Sequence, residues 1–216
     1  MTTQQKIPAS PPATSPPEAP TVAAAGRERR KFTVAEYYRM ADVGILGPDE
    51  RVELIEGDII VMAPIGPGHA GSVDIIGNLF VRKLGEGFIV RSQNPIHLDD
   101  GSEPQPDIVV AFHRDDYYTS AHPTPVDILL TVEVAQSSLE YDRDIKAHLY
   151  GRNAIPETWV RNLPEDCIER FTEPGPDGYL QHTIHRRGES ITPGSLPDLV
   201  LAVEDLLPPP AAAEDE

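Results

Sequence analysis

The chain of 216 residues contains a single cysteine, Cys167. That excludes an internal disulfide framework and any cysteine-rich zinc site, and it fits a reducing compartment. No run of about 18 apolar residues is present, so no membrane-spanning helix and no membrane partner are expected. The start has no basic segment followed by an apolar stretch, so no secretory signal is expected either. The expectation is a soluble, cytoplasmic protein. Positive charge is also scarce. Eighteen Lys and Arg stand against 35 Asp and Glu, a formal net charge of −17. Phosphate neutralisation supplies most non-specific affinity for duplex DNA, so this balance weighs against tight duplex binding. Carboxylates gathered to hold a divalent cation would account for part of the excess.

Large apolar side chains are missing from both ends. Residues 1 to 30 are rich in Pro, Ala, Thr and Ser, and residues 208 to 216 run from three prolines into three alanines and three acids. Neither segment can bury enough surface to offset its ordering entropy, so both are expected to be disordered tails. Residues 31–207 remain, enough for one domain with its own core.

Within that domain the patterns alternate between helix and strand. Thr33 with Glu36 fits a capping box opening a short helix that Gly44 ends. Val52 to Ile55 and Ile59 to Met62 read as a hairpin turning at Glu56-Gly57-Asp58. Val73, Ile76, Leu79, Phe80 and Leu84 recur at helical spacing, which predicts a helix over 70–84 stopped by Gly85 and Gly87. Strands are predicted at Phe88–Val90, Pro95–Leu98, Ile108–Phe112, Ile128–Ala135 and Glu157–Arg161. A last hairpin joins Ile168–Phe171 to Tyr179–Ile184. Ser137 with Glu140 fits a second capping box, opening a helix to about Arg152. The sum is one α/β domain with a mixed central sheet.

The chemistry gathers around two strands. Asp107 opens the apolar run Ile108 to Phe112. Glu133 interrupts the apolar run Ile128 to Ala135, where an unpaired carboxylate costs about 2–5 kcal/mol. If the two strands pair antiparallel, Asp107 and Glu133 share one end of the sheet. Strand alternation leaves open whether they face each other. Asp142, Lys146 and Tyr150 follow at intervals of four, on one face of the next helix. That helix aims its positive end at the same place. Two carboxylates, a divalent metal and a lysine suit phosphodiester hydrolysis. The metal lowers the pKa of a bound water, and the lysine positions it or neutralises developing charge.

These segments resemble the Uma2 family, also labelled DUF820, a branch of the PD-(D/E)XK superfamily. The matching pieces are Glu53-Leu54-Ile55-Glu56-Gly57, His69 at a helix start, Pro106-Asp107-Ile108-Val109-Val110, Val132-Glu133-Val134, Tyr141 to Lys146 with Tyr150, and Ile155 to Val160. Together they span the folded part. The resemblance implies a restriction-endonuclease-like core, a mixed sheet flanked by helices, with an N-terminal helix and a β-hairpin added. It also implies a Mg2+-dependent (or Mn2+-dependent) nuclease acting on DNA. By motif, Asp107, Glu133 and Glu53 would hold the metal and Lys146 would supply the cation. The superfamily's usual lysine, two residues after the second acid, is Ala135 here, and Lys146 on the following helix takes its place. Gln136 stands where relatives often carry Ser, either as a polar contact to the metal site or as a helix cap. Thr158 stands where an aromatic before Trp159 is usual.

Each residue also has a plainer reading. Asp107 can terminate a strand, and Glu133 can be neutralised by a buried cation. Glu53 can face solvent. Lys146 can pair with Asp142, worth only about 0.2–0.5 kcal/mol. His69 can merely begin a helix. Asp142 and Tyr150 read as support, and Trp159 as core. His97, His113, His122 and His148 show no ligand spacing. Three functions are therefore weighed: a metal-dependent DNA endonuclease, nicking, acting on single strands, or cutting two strands as a homodimer; an inactive nuclease fold serving as a binding module; and a metal-dependent hydrolase of a less anionic substrate.

Overall fold

The structure is a computed structural model and describes residues 29–209. The expected tails, 1–30 and 208–216, lie outside it except for Arg29, Arg30, Pro208 and Pro209. Helix α1 (Val34–Asp42) starts with the predicted box. The Thr33 side chain accepts from the Glu36 amide at 3.2 Å, and the Glu36 carboxylate accepts from the Thr33 amide at 3.1 Å. Strands β1 (Val52–Ile55) and β2 (Asp58–Val61) form the antiparallel hairpin. Its turn is two residues, not three. Glu56 and Gly57 both take positive φ, 49° and 78°, as the twist of a tight hairpin demands. A Cβ on Gly57 would lie 2.6 Å from the Lys31 Cβ, so the close approach also requires glycine.

Helix α2 (Pro67–Lys83) begins three residues earlier than the apolar spacing indicates. Proline at the first turn is preorganised for helix, and its missing N–H is no loss there. The earlier start brings His69 into the first turn. The main sheet contains β3 (Phe88–Ser92), β4 (Ile108–Phe112), β5 (Ile128–Ala135), β6 (Glu157–Asn162), β7 (Cys167–Gly175) and β8 (Gly178–His185), side by side in that order. Only β5 and β6 run parallel, so the sheet is mixed as expected. One face, with Val132, Val134 and Trp159, packs on Val73, Ile76, Leu79 and Phe80 of α2. The other, through Val109 and Ala111, packs on Leu149 and Tyr150.

Two expectations need correction. Pro95–Leu98 is not a strand. Its amides bond to three separate places: Ile96 to Pro104, His97 to Pro123 and Leu98 to Ser102, so no ladder forms although Ile96 and Leu98 are buried. The helix after β5 is neither capped by Ser137 nor continuous. It runs as α3 (Leu139–Tyr141), a π-helical segment (Asp142–Lys146) and α4 (Ala147–Arg152), with Ser138 at its N-cap. The Ser138 hydroxyl donates at 2.6 Å to Asp142 rather than closing a capping box. The C-terminal part adds β9 (Ser190–Ile191), β10 (Leu201–Ala202) and a 3-10 turn (Val203–Leu206), for which no periodicity exists to read. Ile191, Leu201, Val203 and Leu206 complete the core beneath α2. Among the described residues no helix is long and apolar enough to cross a membrane.

Candidate active site

Strands β4 and β5 pair antiparallel, with Ile108 opposite Val132. That register puts Asp107, one residue before β4, beside Glu133, at one end of the sheet. The Asp107 carboxylate is nearly buried and reaches across the strand boundary. Its Oδ2 accepts from the Val134 amide at 2.8 Å and lies 3.0 Å from His69 Nε2. Its Oδ1 accepts from the Gln93 side chain at 3.2 Å. Burial pushes the Asp107 carboxyl up. The His69 hydrogen bond and charge, the Val134 amide and Lys146 outweigh that and hold it below its ordinary value. The same contact raises His69, against its own desolvation.

Glu133 points to the opposite face from Val132 and Val134, into a polar pocket under the π-helical segment. Its Oε1 accepts from Lys146 Nζ at 2.9 Å and from the Tyr150 hydroxyl at 2.5 Å. Lys146 also lies 3.3 Å from Glu53 Oε2, which accepts the Gln105 amide at 3.1 Å. Glu53, Glu133 and Lys146 are only 2–3 % exposed. Burial, reinforced by the like charges of Asp142 and Asp107, pushes Glu133 up to about 8, despite Lys146 and Tyr150. Asp142 rises to about 6, again through burial, with Lys146 and the Ser138 hydroxyl opposing. Burial alone would lower Lys146. Glu133, Tyr150, Glu53 and Asp142 together reverse that and keep it charged.

Lys146 therefore does not serve chiefly as the surface partner of Asp142 suggested by spacing. The π-helical segment turns its ammonium inward, between the acids of β1 and β5. Single-turn π segments recur where a side chain must be aimed off the regular helical face. His69 joins Asp107, which its place before α2 left undecided. Gln136 does not cap the helix; it lines the mouth of the recess with Tyr141 and Arg51. Gln93, the Gln105 amide and Ser138 are partners that sequence reasoning missed. Gln93 sits at positive φ (51°) after β3, in a turn that carries no motif.

The recess has a volume of about 400 Å3. Asp107, Glu133, Glu53, Asp142, His69 and Lys146 all reach it. Among the described residues, no group of three or more His, Cys, Asp or Glu side chains is gathered closely enough to hold a metal ion. Glu53 Oε2 faces Lys146 and the Gln105 amide. A pair of carboxylates is the arrangement Mg2+ ordinarily accepts, with waters and substrate phosphate oxygens completing its shell. Asp107 and Glu133 are hard oxygen donors that repel each other in a buried place, so their chemistry suits a divalent cation.

A family model described as "Uma2: Putative restriction endonuclease" matches residues 34–204. No curated protein matches the chain. Among solved structures, the chain is similar to the crystal structure of "a putative nuclease belonging to DUF820" from Anabaena variabilis ATCC 29413. The TM-score is 0.60 and the identity 15%, covering 81% of this chain and 97% of that one. At that identity the likeness concerns the fold, and it is the mixed sheet with flanking helices described above. With a family model matching from the first residue of α1 to the 3-10 turn after β10, the chain belongs to the Uma2 family.

Proposed function

We propose that the protein is a Mg2+- or Mn2+-dependent endonuclease that hydrolyses phosphodiester bonds in DNA, with Asp107 and Glu133 holding the metal and Lys146 assisting. The observation that carries this reading is the meeting of Asp107, Glu133 and Lys146, from three separate elements, at one recess. The metal, when bound, supplies an activated water and stabilises charge on the phosphoryl oxygens. The protein's own groups do the rest. His69 and the Val134 amide fix the Asp107 carboxylate through Oδ2. Tyr150 and Lys146 fix Glu133 through Oε1. Glu53 holds Lys146 from its other side, keeping its ammonium charged next to where negative charge would grow.

The test is incubation of purified protein with supercoiled plasmid and single-stranded DNA in Mg2+ or Mn2+, beside Asp107→Ala and Glu133→Ala, with calorimetry for the metal. Cleavage by the wild type alone supports the reading. Metal binding without cleavage favours a hydrolase of another substrate. Neither metal binding nor cleavage favours the second reading, an inactive nuclease fold used as a binding module. The engaged state of the acids speaks for that alternative, since His69 already occupies Asp107 and Lys146 already occupies Glu133.

A further inference from the structure

Two side-chain atoms of the recess are buried without a hydrogen-bond partner among the described residues: His69 Nδ1 and the Tyr141 hydroxyl. The His69 ring is already tied to Asp107 through its other nitrogen, Nε2. Tyr141 has no such tie. Buried hydroxyls in native proteins nearly always have a partner, and one left without it costs stability. An acceptor arriving with a ligand removes that cost.

The backbone aims this hydroxyl at the site. Tyr141 is the last residue of α3, and the π-helical segment Asp142–Lys146 follows directly. The Ala147 amide bonds to the Asp142 carbonyl, five residues back, which widens the turn. In a regular α-helix, residues five apart point about 140° away from each other. Here Tyr141 and Lys146, five apart, both line the recess. Burial, with Glu53, Asp142 and Glu133 nearby and against Lys146, pushes the Tyr141 hydroxyl well above the ordinary phenol range. It therefore stays protonated and acts as a donor.

The acids around it are engaged elsewhere. Glu53 Oε2 faces Lys146 and the Gln105 amide, and Asp142 Oδ2 accepts from Ser138. Glu133 Oε1 accepts from Lys146 and from the other tyrosine of this helix, Tyr150. Tyr150 thus holds a protein acceptor, while Tyr141 is left with its proton to give. Lys146 is shared between two carboxylates, so an incoming anion needs a further donor. In a nuclease, the acceptor that the substrate brings is a non-bridging oxygen of the scissile phosphodiester.

We propose that Tyr141 is a catalytic residue whose hydroxyl donates a hydrogen bond to that oxygen. The bond strengthens as negative charge grows on the oxygen during attack, and the proton stays on Tyr141 throughout. This rests on the nuclease reading above and adds to it a residue that touches the substrate.

The test is Tyr141→Phe in the full chain, which removes the hydroxyl and keeps the ring. Plasmid cleavage is followed in Mn2+. Binding of a dithymidine monophosphate, which carries one phosphodiester, is followed by calorimetry in Ca2+. The variant is expected to cut about 10–100-fold more slowly and to bind the dinucleotide about tenfold more weakly. Mn2+ affinity is expected to be unchanged. The metal-free melting temperature is expected to be unchanged or higher, because no partner is left behind. Wild-type cleavage and dinucleotide affinity in Tyr141→Phe overturn the inference. So does a loss of Mn2+ affinity or of melting temperature that accompanies the loss of activity, since the hydroxyl then serves the metal site or the fold. If the wild type cuts nothing but binds the dinucleotide, and Tyr141→Phe weakens that binding, the nuclease reading falls while the phosphate contact stands.

Discussion

The two faces of the central sheet obey opposite rules. Strand β5 supplies both. Val132 and Val134 point to the α2 face, into a dry cluster with Phe80 and Trp159, whose rings lie 5.9 Å apart. Glu133, between them, points to the other face and meets Lys146, Tyr150 and, through Lys146, Glu53. The helix on the dry face is regular and starts at a proline. The helix on the charged face is broken by a π-helical segment at Lys146. Burial of apolar area stabilises the first face. A buried ion network adds little net stability to the second, because desolvation offsets the attraction. The charged face is therefore where the molecule gives up stability, and the metal site proposed above would be a physical reason to do so.

Changes on the charged face should act on chemistry, and changes on the dry face on stability alone. The largest effect is expected from Asp107→Ala and Glu133→Ala in a cleavage assay, with losses of at least about 10³-fold. Lys146→Ala should lose about 10²–10³-fold. On the dry face, Trp159→Ala should cost about 3–5 kcal/mol in urea unfolding. Mn2+ affinity per folded molecule should not change, and a large loss of affinity would show that the two faces are coupled.

At about pH 9, above the Glu133 value of about 8, Lys146→Met should destabilise the metal-free protein by about 3–5 kcal/mol, because it strands two buried carboxylates. Glu133→Gln keeps the shape and an acceptor for Tyr150. It should change metal-free stability by less than about 1 kcal/mol yet abolish Mn2+ binding in calorimetry. Comparable destabilisation by both variants would mark the pair as a structural ion bridge.

The smallest effect is on pH dependence. Asp142 and Glu133 have folded values raised to about 6 and about 8. A raised folded value means that the native state holds its proton more tightly than the unfolded chain. That contribution is fully present below the unfolded value, near 4, and is lost as pH rises through the folded value. Without metal, the melting temperature should therefore fall between about pH 4 and about pH 8. The gain on adding Mn2+ should grow over the same window, as the cation displaces those protons. A gain independent of pH would separate the metal from Glu133.

Asp107 and Glu133 were legible because each breaks a local pattern. One opens an apolar strand after a proline, and the other charges a strand otherwise buried on both faces. The hairpin, α1 and the two central strands were legible for the same reason, since capping boxes, tight turns and short continuous apolar runs are local chemistry. His69 was only half legible: a histidine before a helix is ordinary until Asp107 Oδ2 is found 3.0 Å away. Gln93 carried no signal, because its partner lies 14 residues further along the chain.

The sequence by itself determined the fold class, the antiparallel option that brings the two acids to one sheet end, and the acidic balance that disfavours a duplex. Spacing also put Lys146 on a helix facing Asp142. Only the tertiary structure turned its ammonium toward Glu53 and Glu133, committed Glu53 to Lys146 and Gln105, and enclosed the acids in a recess of about 400 Å3. The reason is range. Propensity, capping and alternation act over a few residues, while the energy of a buried charge depends on partners 80 and 93 positions apart in the chain, as Glu133 and Lys146 are from Glu53.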